Sequence, residues 1–365
     1  MKHIREQYEE TLYTSALTDF YFSGLRVGVL DIETTGLNPS RNKFILGGLY
    51  DCQTKTLHQF FAQNRGEEAM ALAGCLQALS RLDMVITYNG KHFDLPFLEK
   101  RLQTFSDQLA YTAYDNPQMA AAASAEELRA LSAKPLPYNL DLYLVLNGHS
   151  PVKKLVPNLK QKTVENYMGL WQTRADEISG AESVALYDAY EKNADPALEE
   201  KILLHNSDDV LQLTRLTKII AKTDFHKAMF HLGFPVKSLT IKKIQIQRDA
   251  LVISGSQNRS PIDYMGFSFH DLPVEISLTR KDASFRIEFP VIRNSGAVII
   301  DLDAAGLSRK EFQRYPTCDS GFLVLEEPVL QEQELRSISD RSGRHYMEIN
   351  HFIRAFLELF LESIQ

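Results

Sequence analysis

Acidic side chains stand at three points of this sequence where a fold would normally place apolar ones. The first point is at residues 27–37, which read V-G-V-L-D-I-E-T-T-G-L. Asp31 and Glu33 close an apolar strand and are two residues apart, so both side chains point to the same face. Two such carboxylates repel each other unless one is protonated or a cation lies between them. Taken alone, the pair is more often a solvated strand end, but as a site it suits a hard divalent ion such as Mg²⁺.

The second acid follows another short apolar run, at residues 88–98, which read Y-N-G-K-H-F-D-L-P-F-L. The dipeptide Asn89-Gly90 predicts a turn, and Pro96 indicates that a helix has just begun. Asp94 then falls in the first turn of that helix, where the helix dipole favours an acid for structural reasons alone.

The third acid is at residues 203–210, which read L-L-H-N-S-D-D-V within a long helical pattern. Asp209 falls on the apolar stripe that this helix should bury, whereas Asp208, about 100° away, can point to solvent. A buried carboxylate without a partner is costly, so Asp209 needs a cation, a hydrogen-bond network or a proton. His205 lies one turn before Asp209 on the same face.

The composition limits what these acids can act on. The 365 residues include 40 basic and 47 acidic ones, a net charge of -7, so a nucleic-acid partner must be held at a local site. Cys52, Cys75 and Cys318 show no paired metal-ligand spacing and fit buried thiols in a reducing compartment. Neither a signal peptide nor a run of ~20 apolar residues is evident, so we expect a cytoplasmic protein with no membrane partner.

Strands and helices alternate along the first part of the chain. After a leader segment, residues 1–24, the order β-β-β-α-β-α predicts an α/β domain over residues 25–223, with a mixed five-stranded sheet flanked by helices. The predicted strands are residues 25–32, 43–50, 56–61, 84–88 and 140–146, and the predicted helices include 69–79 and 93–102.

Two further regions differ from this pattern. Residues 103–137 form a long insertion whose alanine-rich part favours a short helix of its own. From residue 234 the strands are short and separated by turn residues, which predicts a second, β-rich α+β domain over residues 234–365. A terminal helix at 347–364 closes this domain.

Together and in this order, the three acidic motifs resemble those of the DEDD superfamily of 3′-to-5′ exonucleases, which have the RNase H-like fold. The sequence D-I-E-T-T-G-L corresponds to the first motif, N-G-K-H-F-D-L-P-F-L to the second and H-N-S-D-D to the third. The chain is most similar to the YprB-like branch of predicted bacterial exonucleases, including its stretches at 155–165 and 176–180. The resemblance covers about residues 25–216, and none covers 234–365.

This resemblance implies that Asp31, Glu33, Asp94 and Asp209 bind two divalent ions, Mg²⁺ or Mn²⁺, in a two-metal mechanism. It also places the residue that orients or deprotonates the attacking water at His205, where many relatives carry tyrosine. Histidine is a residue type well suited to a general base. The substrate contacts that the resemblance implies are Thr34, Thr35, Leu37 and Asn89, with Lys160 and Lys162 as weaker candidates for phosphate contacts.

We therefore expect a 3′-to-5′ exonuclease whose partner is single-stranded DNA or RNA, or its 3′ ends. Two alternatives stay open. The same fold and metals cut internally when the binding groove is open at both ends, which would make a structure-selective endonuclease. A catalytically silent nucleic-acid-binding module is the other, although four acids near phosphates would serve binding poorly.

Overall fold

The structure, a computed structural model, describes residues 1–115, 130–131, 135–175, 178, 180–258, 260–328 and 343–364. The chain divides into two compact units, Met1–Thr223 and Asp224–Gln365. The acids identified above all belong to the first unit.

A mixed sheet of six strands forms the centre of the first unit. In chain order the strands are β1 (Lys2–Gln7), β2 (Val27–Thr34), β3 (Phe44–Asp51), β4 (Thr56–Phe61), β5 (Met84–Thr87) and β6 (Tyr138–Asp141). The spatial order is β1-β4-β3-β2-β5-β6, with β5 parallel to both β2 and β6 and the other pairs antiparallel. The predicted mixed sheet with flanking helices is confirmed.

Two details of this sheet differ from the prediction. The segment expected to lead into the domain contributes β1, so the sheet has six strands instead of five. The last strand, expected at 140–146, ends at Asp141, because the Asp141 carboxylate accepts the N–H groups of Tyr143 and Leu144 and so caps a helix there.

Helices cover both faces of the sheet. They are α1 (Ala16–Phe22), α2 (Glu68–Leu79), α3 (Asp94–Asp115), α4 (Leu142–His149), α5 (Gln161–Tyr167), α6 (Gly180–Asn193) and α7 (Pro196–Leu216). Helix α7 begins where Asp195 caps the N–H of Ala197 and Pro196 occupies the first turn. Helices α2 and α7 both pack against β3.

Neighbouring residues of β3 show that these two helices lie on opposite faces. Phe44 packs into an apolar cluster with Leu72 and Leu76 of α2, whereas Ile45 packs into a second cluster with Tyr187 of α6 and Ile202 of α7. Because successive side chains of a strand point to opposite faces, the sheet separates two cores.

The second unit is rich in antiparallel strands, as predicted. A six-stranded sheet has the order β10-β11-β12-β9-β8-β7, and a four-stranded sheet has the order β13-β14-β16-β15. The strands are β7 (Phe234–Val236), β8 (Leu239–Ile246), β9 (Ala250–Gln257), β10 (Tyr264–Gly266), β11 (Glu275–Thr279), β12 (Ser284–Pro290), β13 (Ile292–Asn294), β14 (Ala297–Asp301), β15 (Cys318–Asp319) and β16 (Phe322–Glu326).

Three helices complete the described part of the second unit: α8 (Phe225–Leu232), α9 (Arg309–Phe312) and α10 (Tyr346–Ser363). Helix α10 buries Phe352, Phe356 and Phe360, and the Phe356 ring meets Phe289 of β12 edge to face, with centroids 4.7 Å apart. Helix α8 begins ahead of residue 234, so the second unit starts before the predicted boundary.

Helix α3 runs to Asp115 and so extends well into the predicted insertion. The alanine-rich part of that insertion lies almost wholly outside the described residues. Among the residues that the structure describes, none belongs to a helix with the length and apolar character needed to cross a bilayer.

Candidate active site

The register of β2 turns Asp31 and Glu33 toward α7. Leu30 and Ile32 pack into the core on the side of α2, so the acids that alternate with them face the opposite side of the sheet. There the Asp31 carboxylate accepts a hydrogen bond from α7, and Glu33 Oε1 lies 3.5 Å from Nε2 of His205. The two carboxylates share one face, as their spacing predicts.

Asp94 is the first residue of α3 and is buried. The turn that leads into it starts at Asn89, whose φ of 63° lies in the left-handed region that asparagine tolerates. Backbone amides of Asp94 itself and of Ile32 hydrogen-bond the Asp94 carboxylate. The side chain is therefore held beside the end of β2.

Asp141, which is not among the predicted site residues, fixes that turn. Its Oδ1 accepts the N–H of Asn89 at 2.9 Å, and its Oδ2 accepts the N–H of Lys91 at 3.0 Å. The only sequence signal is an acid at the end of a strand, and that strand proves to be the neighbour of β5. Asp141 thus links the ends of two parallel strands and positions the entry to α3.

Helix α7 brings His205 and Asp209 to the same place. His205 is 3% exposed, and its Nε2 lies 3.7 Å from Oδ2 of Asp209. Asp209 keeps 21% of its side chain exposed, so it is less buried than its position on the stripe suggests.

The expectation that Asp208 points to solvent is wrong. Asp208 is buried, and its Oδ2 accepts the backbone N–H of Ala175 at 2.6 Å. A helical wheel shows which way a side chain leaves the helix but not what covers it, and here the chain at Ala175 covers it. Asp208 therefore supports a neighbouring loop, whereas Asp209 faces Glu33 and His205.

Asn206 is a site residue that the sequence analysis passed over. It is fully buried, and its Nδ2 donates to the Asp31 carboxylate at 3.0 Å, while its Oδ1 accepts from Gln59 at 3.1 Å. Gly48, opposite Asp31 in β3, leaves room for it, because a Cβ at Gly48 would lie 2.1 Å from Asn206 Oδ1. A polar residue four places after Ile202 on a buried helix face was the available signal.

Burial and neighbouring charges raise the pKa values of three of these acids, Asp31, Glu33 and Asp94. Burial, followed by the charges of Asp209 and Asp94, holds the pKa of Asp31 well above its usual value, and the Asn206 hydrogen bond opposes this rise. Burial raises the pKa of Glu33 from 4.5 to about 7, with His205 opposing and Asp209 adding to the rise. Burial also raises the pKa of Asp94 from 3.8 to about 7, with contributions from Asp141 and Asp209. These carboxylates therefore share one poorly solvated space.

Such a space fits a divalent cation. One ligand atom each of Glu33, His205 and Asp209 lies within 4.8 Å of the others, close enough to surround one ion. Asp31 and Asp94 contribute their charges to the same space. A cation there would offset the mutual repulsion that raises the pKa values, and oxygen donors of this kind suit Mg²⁺ or Mn²⁺.

A buried arginine adjoins the acids. Arg174, with 8% of its side chain exposed, donates to Glu165 from Nε at 3.1 Å and from Nη2 at 3.0 Å, and its Nη2 also donates to Asp209 Oδ1 at 2.6 Å. Burial alone would lower the pKa of Arg174, but the bonds to Glu165 and Asp209 outweigh it and raise the pKa. Nothing in the sequence pattern singled out this residue.

The three expected substrate-contacting residues near β2 lie at the end of this strand and in the turn that follows it. The Thr34 hydroxyl donates to the carbonyl of Gly36, and the Thr35 hydroxyl accepts the N–H of Lys43, so both stabilise the turn after β2. Leu37, at the same turn, is 82% exposed. Of these three side chains, Leu37 is the one displayed to solvent.

The other expected contacts separate into two groups. Asn89 and Lys160 line one open cleft of about 550 Å³, together with Tyr88, Tyr143, Asn158, Leu159 and Gln161. Gln161 also donates to the carbonyl oxygen of Asp209 at 3.0 Å, so this cleft adjoins the acids. Lys162 instead donates to the carbonyl of Ile178 and is not among the residues that line the cleft.

The chain belongs to the RNase H superfamily: the family model RNase_H_2, described as RNase_H superfamily, matches residues 29–221. The matched part contains the four acids, His205 and Asn206, and it ends close to the boundary of the first unit. A comparison with curated proteins gives no match.

Solved structures that match parts of this chain include a family B DNA polymerase from the hyperthermophilic archaeon Pyrobaculum calidifontis. It is 20% identical with a TM-score of 0.39, and the match covers 54% of this chain but 24% of the polymerase. Another is the ExoI/SSB-Ct complex, 13% identical with a TM-score of 0.30, covering 91% of this chain and 70% of that one. At such TM-scores neither likeness bears on what this chain does.

Proposed function

We propose that this protein is a metal-dependent nuclease of the DEDD type, a 3′-to-5′ exonuclease that hydrolyses phosphodiester bonds of single-stranded DNA or RNA. Membership of the RNase H superfamily supports nuclease chemistry. The 3′-to-5′ direction is supported by the motifs around Asp31, Asp94 and Asp209. These motifs are similar to those of DEDD exonucleases and of their YprB-like branch.

One observation carries the proposal: acids from β2, α3 and α7 are gathered in one place, where burial and neighbouring charges raise the pKa values of Asp31, Glu33 and Asp94. Asp31, Glu33, Asp94 and Asp209 repel one another in the metal-free protein, and neutral residues at these positions would avoid that repulsion. A purely structural role therefore does not explain why four acids share one space. Binding of divalent cations accounts for the cluster, because the cations would offset the repulsion between the carboxylates. When bound, two such ions lower the pKa of an attacking water and stabilise the leaving 3′ oxygen.

The protein's own residues would hold and orient the reactants. The four acids bind the cations, and the hydrogen bond from Asn206 fixes the Asp31 carboxylate. His205 would accept the proton from water at Nε2, the atom that faces Glu33 and Asp209. Asn89 and Lys160 would contact the strand in the cleft beside Asp209, and exposed Leu37 would contact the terminal nucleotide.

The first experiment follows the length of a 5′-labelled single-stranded oligonucleotide, and separately the nucleotides released from it, with Mg²⁺, with Mn²⁺ and with chelator. We expect metal-dependent shortening from the 3′ end with mononucleotide products, and none with the Asp94→Asn variant. A 3′-phosphate block should stop the reaction. Metal-independent cleavage, or cleavage by Asp94→Asn equal to that of the parent, would refute the proposal.

Two further substrates define the reaction. Circular single-stranded DNA should stay intact, and internal cuts in it would identify an endonuclease instead. Matched DNA and RNA strands then decide the sugar preference, which depends on contacts to the 2′-hydroxyl.

A further inference from the structure

Arg174 and Glu165 form a buried ion pair that is held by two hydrogen bonds. The side chain of Arg174 is 8% exposed and that of Glu165 is 1% exposed, so both charges are removed from water. Nε and Nη2 of Arg174 donate to the two different oxygens of Glu165, at 3.1 and 3.0 Å. This two-point contact fixes the plane of the guanidinium group.

The same guanidinium reaches the acidic cluster with a third hydrogen bond. Nη2 lies 2.6 Å from Oδ1 of Asp209, which leaves Oδ2 as the Asp209 oxygen that lies 3.7 Å from His205 Nε2. Gln161 adds a brace, because its Nε2 donates both to Glu165 Oε1 at 2.9 Å and to the carbonyl oxygen of Asp209 at 3.0 Å. The side chain and the backbone of Asp209 are thus both tied to Glu165.

We propose that Arg174, anchored on Glu165, is a positioning residue that holds one oxygen of Asp209 and presents the other to a divalent cation shared with Glu33. This inference rests on the proposed function, since it concerns the same cation site. Because the anchor is a two-point contact between buried groups, Arg174 stays in place when the cation binds and is not displaced by it.

Removing Arg174 changes cation affinity in one direction if Arg174 orients Asp209, and in the other direction if Arg174 acts only as a charge that repels the cation. A positive charge beside Asp209 repels a cation, so removing it should tighten cation binding if charge alone matters. If Arg174 orients Asp209, its removal should weaken cation binding in spite of the relieved repulsion. Partners that orient metal ligands are typically worth roughly 10–100-fold in metal affinity or activity.

The test titrates Mn²⁺ into the full-length protein without nucleic acid and follows free Mn²⁺ by electron paramagnetic resonance. Arg174→Gln should bind Mn²⁺ roughly tenfold more weakly than the parent. Because that variant leaves Glu165 buried without its cation, the double variant Glu165→Gln with Arg174→Gln is measured as well, with its melting temperature as a check of folding. It too should bind Mn²⁺ more weakly.

Two controls separate geometry from charge. Arg174→Lys keeps the charge but cannot make a two-point contact with Glu165 and still reach Asp209, so it should also bind Mn²⁺ weakly. Arg65→Gln removes an arginine that pairs with Asp188 and Glu191, outside the acidic cluster, and should leave Mn²⁺ affinity unchanged. The concentration of Mg²⁺ that gives half-maximal cleavage should rise in the same variants that lose Mn²⁺ affinity.

Each result decides the question. Tighter or unchanged Mn²⁺ binding by Arg174→Gln and by the double variant, or full affinity in Arg174→Lys, overturns the positioning role while leaving the nuclease proposal intact. A parent protein that binds no Mn²⁺ overturns the proposed function, and the positioning role falls with it.

Discussion

The Nδ2 atom of Asn206 lies 3.0 Å from Oδ2 of Asp31 and 3.2 Å from the carbonyl oxygen of the same residue. One buried amide of α7 therefore fixes both the side chain and the backbone of the first acid in β2. The contact depends on Gly48, since a Cβ there would lie 2.1 Å from Asn206 Oδ1.

Gly48→Ala should accordingly lower activity without touching any of the acids. The new methyl group displaces the Asn206 side chain, Asp31 loses its donor, and cleavage should fall roughly 10–100-fold. Gly148→Ala, in α4, is the control, because a Cβ there meets nothing within 4 Å. Equal activity of the two variants in single-turnover cleavage would contradict the role of Asn206.

The stability of the metal-free protein should fall as pH rises through the window set by Glu33 and Asp94. Glu33 titrates near 4.5 when unfolded and at about 7 when folded, so between these values the folded state binds more protons. Stability then decreases with pH in this window and levels off above it. Thermal melts of the parent and of Glu33→Gln with chelator should diverge across this window, the parent losing more. Parallel curves would mean that burial does not raise the pKa of Glu33 in the folded protein.

The adjacent acids of α7 should differ sharply on substitution. Asp209→Asn should be nearly inactive, because Asp209 faces Glu33 and His205. Asp208→Asn should stay within a few-fold of the parent, since an amide oxygen can still accept the N–H of Ala175. Asp208→Ala leaves that N–H unpaired and should cost about 1–3 kcal/mol of unfolding free energy. Single-turnover cleavage and urea denaturation test these outcomes, and equal loss of activity at both asparagine variants would contradict the assignment.

His205→Ala should lose roughly 10²–10⁴-fold in rate at saturating Mg²⁺ if the imidazole accepts the proton of the attacking water. His205→Tyr should keep part of the rate. If His205→Ala instead loses Mn²⁺ affinity, the histidine acts as a ligand and not as a base.

Removing one acid should stabilise the metal-free protein slightly while abolishing cleavage. Burial raises the pKa values of Asp31, Glu33 and Asp94, and the charges of neighbouring acids add to the rise. Each of Asp31→Ala, Glu33→Ala and Asp94→Ala takes one carboxylate out of this mutually repelling set. The measurement pairs melting temperature with Mg²⁺-dependent hydrolysis. Activity retained by any of the three would remove that residue from the cation site.

Local patterns were sufficient to predict the strand that carries Asp31 and Glu33 and the shared face of these two acids. The helix entry at Asp94 and the helix of Asp209 were also predicted, because periodicity and turn residues are read over a few neighbouring positions. That these acids meet in one site was predicted only from the order of the three motifs and their resemblance to a known family. No short sequence pattern encodes a contact between β2 and α7.

The residues that were missed act over long separations. Asn206 contacts Asp31 across 175 residues, and Arg174 contacts Asp209 across 35. Asp141 meets Asn89 across 52 residues, and its role exists only because β5 and β6 are neighbours in the sheet. The burial of Asp208 likewise depends on a loop that a helical wheel does not contain.

The first strand has a consequence for aggregation. β1 occupies one outer edge of the sheet and is mostly exposed along its length, with Lys2, Arg5 and Glu6 among its side chains. A second chain that tried to extend the sheet there would have to desolvate these charges. Without β1 the edge would pass to β4, where Leu57, Phe60 and Phe61 are buried, and a bare, apolar strand of this kind is a template for pairing between molecules. The charged, exposed side chains of β1 therefore disfavour pairing of this edge with the sheet of another molecule.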